Sequence, residues 1–185
     1  ENRFDQVRLA KEFVKFNERC FVRLLGDMHS GNFVIDITPD FEKMQYRMRP
    51  LDFDQQSHHW RKQVYLPQFY PQNNAIIAVG MEFMGPTTVD QYQREERALI
   101  ANRLRVSHGR YSAIMDVMRE DLIAPAEHVQ KLGRQLADHY HDDAFSACDT
   151  MGELVHASLE RLLQRAEPAS ASLLNFPVPT TDPMG

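Results

Sequence analysis

The sequence contains only two cysteines, Cys20 and Cys148, among its 185 residues. They form no pair with the short spacing of metal ligands, so neither a structural zinc site nor a disulfide framework is indicated. Reduced thiols in a cytoplasmic protein are the expectation. Cys20 lies among apolar residues and is predicted to be a small core residue rather than a reactive thiol.

Long apolar runs and an excess of positive charge are also lacking. No apolar run approaches the length of about 18 residues that would indicate a membrane span, and no charged-then-apolar leader is visible. The formal net charge of −5 gives no support for nucleic-acid binding, which is usually accompanied by a basic face. We therefore expect neither a membrane nor a nucleic acid as a partner.

Apolar residues are plentiful enough for one core. Hydrophobic residues make up 43% of the chain and charged residues 25%, which is typical of a single globular domain of this length. We predict one domain over residues 1–166. The stretch 167–185 carries several prolines among small polar residues and is expected to pack loosely.

The first third of the chain is predicted to contain one helix and three short strands. Apolar residues at three-to-four spacing predict a helix over 3–17, which Asn2 can cap. The apolar run 20–25 predicts a strand that leads into the following loop. Strands over 33–37 and 46–51 are predicted to form a hairpin.

Turn residues predict where these elements end. The Thr-Pro-Asp sequence at 38–40 predicts the turn of the hairpin. No element is assigned between 55 and 74, a stretch rich in glutamine and aromatic residues. A short helix is predicted over 74–83, ended by Gly85 and Pro86.

The C-terminal half is predicted to be helical. One helix can begin at a cap on Thr87 or Thr88 and has a break near Gly109. A second carries Pro125 in its first turn, and a third is capped by Asp149. Together with the hairpin, these helices predict an α+β fold that is mainly α-helical.

One short pattern carries information about chemistry. Asp27 is followed five residues later by Asn32, and after a hairpin-length insert by Asp52 and Asp54. This spacing is typical of phosphoryl transfer, where the first Asp accepts a proton from the attacking hydroxyl. The Asn and the second Asp hold Mg²⁺ on the nucleotide phosphates. The same residue types also favour turns, but the Asp-Phe-Asp after the hairpin favours the functional interpretation.

The run Gly26-Asp27-Met28-His29-Ser30-Gly31-Asn32, with Asp52-Phe53-Asp54, resembles the kinase-like phosphotransferases of the aminoglycoside phosphotransferase and choline kinase type. The resemblance implies a protein-kinase-like large lobe, with Asp27 as the catalytic base. It implies Mg²⁺ and ATP, or another nucleoside triphosphate, as cofactors and a small hydroxylated molecule as the acceptor.

The resemblance also assigns the residues that bind the cofactors. Asn32 and Asp52 are the expected ligands of the metal and, through it, of the nucleotide. His29 belongs to the same cofactor-binding loop, which it is expected to orient by hydrogen bonding. Asp54 is either a second metal contact or a solvated loop charge.

Two features depart from the family pattern. Leu25 occupies the position of the first family His, and the residues before Asp27 contain no Gly-x-Gly-x-x-Gly flap. The lysines available there, Lys11 and Lys15, lie in a predicted helix. The resemblance therefore covers only the C-terminal lobe, and an N-terminal lobe or a partner chain is expected to complete the site. The alternative is a catalytically inactive, kinase-derived binding or regulatory module.

The acceptor side is left open by the sequence. In the resembling families, acidic residues of the helical half bind cationic acceptors, and the candidates here are Glu120, Asp121, Asp138, Asp142 and Asp143. The adjacent His58 and His59 are interpreted as surface or packing residues, since neighbouring side chains on a strand or helix point apart.

Overall fold

The computed structural model describes residues 5–41 and 43–165. Helices and one two-stranded sheet occupy most of these residues, in the order α1 Gln6–Val22, β1 Phe33–Asp40, β2 Lys43–Pro50, α2 Asn74–Phe83, α3 Pro86–Val106, α4 His108–Glu120, α5 Ala126–Tyr140 and α6 Met151–Arg165. The prediction of a mainly helical fold with one β-hairpin is confirmed. The predicted cap on Asn2 and the predicted loose packing of 167–185 lie outside the described residues.

Helix α1 is longer than predicted and covers the first three residues of the expected strand over 20–25. The helix begins after Asp5, whose carboxylate accepts the Arg8 N–H at 3.0 Å, and it continues to Val22. Cys20 and Val22 pack in different apolar clusters, so apolar side chains surround the last turn of the helix. A short apolar run cannot by itself distinguish a strand from a helix that is buried on all sides. The strand prediction was therefore wrong, while the prediction that Cys20 is a core residue is confirmed.

Two apolar clusters meet beneath the loop that carries Asp27. The larger cluster joins the end of α1 to helices α3–α6, and the smaller one joins α1 to the hairpin and α2. Leu24 is fully buried in the larger cluster, and its neighbour Leu25 is fully buried in the smaller one. The chain is thus anchored in both clusters immediately before Asp27.

The hairpin is longer than predicted, and its turn lies later in the chain. The register runs from Phe33 opposite Pro50 to Asp40 opposite Lys43, so the turn includes Phe41 rather than residues 38–40. Both strands of a two-stranded sheet are edges, and an edge tolerates a residue without an N–H. Pro39 therefore continues the strand instead of ending it.

Three helices, α2 to α4, largely follow the predicted bounds. Helix α2 spans the predicted residues, and α3 begins with Pro86 at its first position after Gly85. Proline suits this position because its missing N–H would have no partner in the first turn. The cap is therefore Gly85, and the prediction of Thr87 or Thr88 was wrong. The predicted break near Gly109 lies at Ser107, between α3 and α4.

Helix α6 begins with a capping box on Thr150. The Thr150 hydroxyl accepts the Glu153 N–H at 3.1 Å, and the Glu153 carboxylate accepts the Thr150 N–H at 3.3 Å. This reciprocal pair satisfies backbone donors that have no partner inside the helix. The cap is therefore one residue later than the predicted Asp149. No helix within the described ranges is long and apolar enough to span a bilayer.

Candidate functional site

The loop before Asp27 pairs with the segment after Asp54. Leu25 and Gln56 form an isolated antiparallel bridge, and the Gly26 N–H donates to the Gln55 carbonyl at 3.1 Å. The Ser57 N–H donates to the Leu24 carbonyl at 2.7 Å. These contacts bring the segment that leads to Asp27 next to the segment that follows Asp54. Of the predicted strand before Asp27, only this bridge is present.

The backbone is strained at three non-glycine residues of this pairing. Leu24, Ser57 and Asp27 have φ angles of 49°, 50° and 56°. The left-handed region costs a residue with a side chain about 1–3 kcal/mol and persists only where the surrounding structure enforces it. Such strain is concentrated at functional sites, and here Asp27 itself carries it.

Gly26 is required by close packing. A Cβ atom at this position would lie 2.8 Å from Val64 Cγ1 and 3.0 Å from the Gln55 carbonyl oxygen. Any side chain would therefore separate the loop from the two segments that hold it.

Asn32 is bonded directly to Asp27. Its Nδ2 donates to the Asp27 backbone carbonyl at 2.9 Å and approaches carboxylate Oδ2 at 3.3 Å. This use of the amide nitrogen turns Asn32 Oδ1 away from Asp27, and in the described part of the chain no donor is bonded to that oxygen. The predicted base and the predicted metal ligand are thus brought together.

His29 closes the turn between these two residues. Its Nδ1 accepts the Gly31 N–H at 3.0 Å, and its own N–H donates to the Asp27 carbonyl. A Cβ atom on Gly31 would lie 2.8 Å from His29 Cε1, so a larger residue there would have to displace the His29 ring. The hydrogen bonding agrees with the loop-orienting role that the resemblance implies for His29.

The hairpin brings the Asp52 segment back to Asn32. The Leu51 N–H donates to the Asn32 carbonyl at 2.8 Å, so Asp52 follows directly after this contact. Asp52 Oδ1 accepts the Asp54 N–H at 2.9 Å, which leaves Oδ2 for another partner.

Asp54 is exposed, and no hydrogen bond in the described residues links its carboxylate to the other candidates. The described chain holds no group of three or more His, Cys, Asp or Glu side chains arranged for a metal.

Two residues that the sequence did not indicate, Tyr70 and Asn73, support the Asp27 loop by hydrogen bonds. Tyr70 Oη accepts the Asp27 N–H at 3.0 Å and donates to the Val64 carbonyl at 2.9 Å. Burial raises the pKa of this phenol above its usual value, which keeps its proton in place as a donor. Asn73 is buried, and its Nδ2 donates to the carbonyls of Met28 and Pro67 at 3.0 and 2.8 Å.

Replacing Tyr70 by Phe tests this support. The change removes one hydrogen bond from Asp27 and one from Val64, although their mutual bond at 3.2 Å remains. We expect the free energy of unfolding to fall by about 1 kcal/mol and the Asp27 amide to exchange faster with solvent. The control is Tyr92→Phe, because the Tyr92 ring contacts Lys11 and Lys15 while its hydroxyl has no bonded partner in the described residues. An unchanged Asp27 exchange rate would contradict the role assigned to Tyr70.

The acidic residues predicted for the acceptor side are not joined to this loop. Asp142 forms an ion pair with Arg161 at 3.0 Å. The remaining four, Glu120, Asp121, Asp138 and Asp143, are exposed. Within the described residues, no hydrogen bond or ion pair links any of the five to Asp27, Asn32 or Asp52.

No known protein family, curated protein or solved structure matches the chain. The functional argument therefore depends on the geometry itself. That geometry is a half-buried carboxylate on a strained loop, an amide bonded to it, and a second carboxylate delivered by a hairpin. Such a set can accept a proton and supply oxygen ligands to a hard cation.

Proposed function

We propose that this chain is the large catalytic lobe of a kinase-like phosphotransferase, which transfers the γ-phosphate of ATP to a hydroxyl of a small molecule. The observation that carries the proposal is the bond from Asn32 to the Asp27 carbonyl and carboxylate, at 2.9 and 3.3 Å. A turn-forming role alone does not require an amide on the carboxylate. The strain at Asp27 supports the same conclusion.

Asp27 is the proposed base. Its carboxylate is half-buried, and Oδ1 has no bonded partner in the described chain, so this oxygen can accept the proton of an attacking hydroxyl. Asn32 fixes the carboxylate from one side, while Tyr70 and Val64 fix the Asp27 backbone. Positioning of this kind supplies a large part of the rate in phosphoryl transfer.

The residues present fit a magnesium site. Asn32 Oδ1 and Asp52 Oδ2 are oxygen atoms left without donors, and Mg²⁺ prefers oxygen ligands of this kind. When bound, the metal neutralises the charge that develops on the phosphate oxygens. Asp54 remains the proposed further contact and His29 the residue that orients the cofactor loop.

The proposal includes the partners that the resemblance implies. An N-terminal lobe or a partner chain completes the nucleotide site, and the acceptor is a small hydroxylated molecule rather than a nucleic acid or a membrane. A second candidate is an inactive binding or regulatory module. The observation that favours it is Leu25, which is fully buried in the smaller apolar cluster at the position of the family's first His.

Calorimetric titration of the chain with ATP and Mg²⁺ tests the proposal. We expect binding by the unmodified chain and a loss of affinity of at least about tenfold in Asp52→Ala, because one carboxylate ligand is removed. The control is Asp116→Ala, which removes an exposed carboxylate from α4 that has no bonded partner in the described residues.

Each outcome has its own meaning for the proposal. Binding that is lost in Asp52→Ala and kept in Asp116→Ala supports a working metal–nucleotide site. Equal binding by all three proteins contradicts the role of Asp52. No binding by the unmodified chain would contradict a nucleotide site held by this chain alone, and the same titration would then be repeated with the N-terminal lobe or partner chain that completes the site.

A further inference from the structure

A cluster of basic side chains surrounds the ring of Trp60. We define the Trp60 surface as His58, His59, Trp60, Arg61, Lys62, His128 and Lys131. The first five residues follow the Asp52 segment, and the last two lie in the N-terminal half of α5. The candidate site described above uses none of these side chains.

The backbone of this surface is held firmly by neighbouring side chains. Gln135 on α5 accepts the Lys62 N–H and donates to the Trp60 carbonyl, both at 3.1 Å. The His59 N–H donates to Tyr65 Oη at 2.7 Å, and the Arg61 N–H donates to His59 Nδ1 at 2.9 Å. The side chains therefore extend from a fixed segment rather than from a loose loop.

Cations approach the Trp60 ring from two elements. The Arg61 guanidinium carbon lies 4.6 Å from the ring centroid, and Lys131 Nζ lies 5.4 Å from it. His59 stacks on the same ring with a centroid separation of 5.7 Å. Cation–π attraction draws the charges together, so the ring concentrates positive charge at one place.

Very little negative charge compensates these groups. Glu127 is exposed and lies 3.8 Å from Lys131 Nζ and 3.9 Å from His128 Nε2. Arg61 and Lys62 have no acidic partner in the described chain. Burial and the neighbouring Arg61, His128 and His58 together lower the pKa of His59, which favours its neutral form, so the positive charge comes from Arg61, Lys62 and Lys131. A net positive surface thus lies on a chain whose net charge is −5.

We propose that the Trp60 surface binds an acidic segment of a partner polypeptide. His58, Arg61 and Lys131 are exposed, and an open surface of this kind suits an extended segment, whereas small ligands need a concave pocket. Aromatic and arginine side chains are the residues that most often anchor protein interfaces.

A nucleic acid fits this surface less well. Nucleic-acid-binding proteins typically neutralise about 6–10 phosphates, and the permanent charges here are those of Arg61, Lys62 and Lys131. The overall negative charge of the chain would repel the rest of a long polyanion. A short acidic peptide matches the extent of the positive surface.

The segment that carries the surface continues into the segment that supports the candidate site. Lys62 is two residues before Val64, and the Val64 carbonyl accepts the Asp27 N–H at 3.2 Å. The proposal does not depend on phosphoryl transfer, since it rests on charge and geometry outside the candidate site.

Trp60 is the only tryptophan of the chain, so its fluorescence reports directly on the surface. The probe is an oligoglutamate peptide of about ten residues, labelled so that anisotropy gives an independent affinity. We expect saturable binding that changes Trp60 emission and weakens as salt is raised. The Arg61→Glu/Lys131→Glu double variant should bind at least about tenfold more weakly, because two attractive charges become repulsive.

The matched control is Arg103→Glu/Arg110→Glu, which reverses two exposed charges on α3 and α4 away from the surface. It should change the affinity by less than about twofold. Circular dichroism checks that both variants are folded.

Three outcomes would overturn the proposal. One is the absence of any change in anisotropy and emission with oligoglutamate. Another is an equal loss of affinity in the control variant, which would show that only the total charge matters. The third is tighter binding of a single-stranded RNA of equal charge, which would assign the surface to nucleic acid.

Discussion

Replacing Gly152 by Ala is expected to lower the free energy of unfolding by about 3 kcal/mol or more. Gly152 lies in the first turn of α6, where α6 touches the end of α4. A Cβ atom there would lie 1.9 Å from the Met118 carbonyl oxygen and 2.7 Å from the Arg119 nitrogen. Both atoms belong to the backbone, so the clash cannot be relieved by turning a side chain. The two helices would have to separate.

Denaturant unfolding of the variant measures this effect. The matched control is Gly109→Ala, because Gly109 lies in the first turn of α4 and a Cβ atom there meets nothing within 4 Å. Alanine favours helix over glycine, so the control should be neutral or stabilising by up to about 1 kcal/mol. Equal stabilities for the two variants would contradict the close approach of α4 and α6.

Replacing Arg19 by Met is expected to cost about 3–5 kcal/mol of stability. Arg19 is buried in α1 and forms ion pairs with Glu12 on α1 and Glu96 on α3, the second at 3.2 Å. Glu96 is fully buried, and its only other ion pair in the described residues is with the half-buried Arg47 at 3.4 Å. Removing the Arg19 charge leaves two buried carboxylates that are poorly compensated.

The same network fastens the hairpin to α1. Arg19 donates to the Met48 carbonyl at 3.2 Å, and Glu12 accepts the Met48 N–H at 2.9 Å. Met48 belongs to β2, which leads to Asp52, so the variant should also weaken any binding of ATP and Mg²⁺ at the candidate site.

Thermal and denaturant unfolding measure the loss of stability in the Arg19 variant. The control is Arg94→Met, whose pair with Asp90 is exposed and should contribute less than about 1 kcal/mol. A loss in Arg19→Met no larger than in the control would show that the buried charges are compensated by other means.

Local patterns predicted much of the fold because they act over a few residues. The three-to-four spacing of apolar residues identified the helices, and two short strand segments on either side of turn residues identified the hairpin. Helix α2 agrees to the residue: it ends at Phe83, and Gly85 and Pro86 begin the next helix after the extended Met84. The composition of the Asp27 loop likewise indicated a tight turn with a base and an amide.

Other predictions failed where the decisive partner lies far along the chain. The apolar run 20–25 was assigned to a strand because periodicity does not reveal that two clusters cover α1 on different sides. Pro39 was assigned to a turn because its local preference does not show that β1 is an edge strand. Tyr70 and Asn73 were missed because the stretch around them has no regular period.

The sequence by itself determined the helices, the hairpin and the residue types of the Asp27 motif, since propensity, periodicity and turn chemistry act between neighbours. Only the tertiary structure decided how that motif is held. Tyr70 lies 43 residues from Asp27, and Asn73 lies 45 residues from Met28. The basic side chains around Trp60 come together because α5 packs against the segment after Asp52. Hydrogen bonds and charges between distant segments form only when the core brings those segments together, and no local pattern encodes that approach.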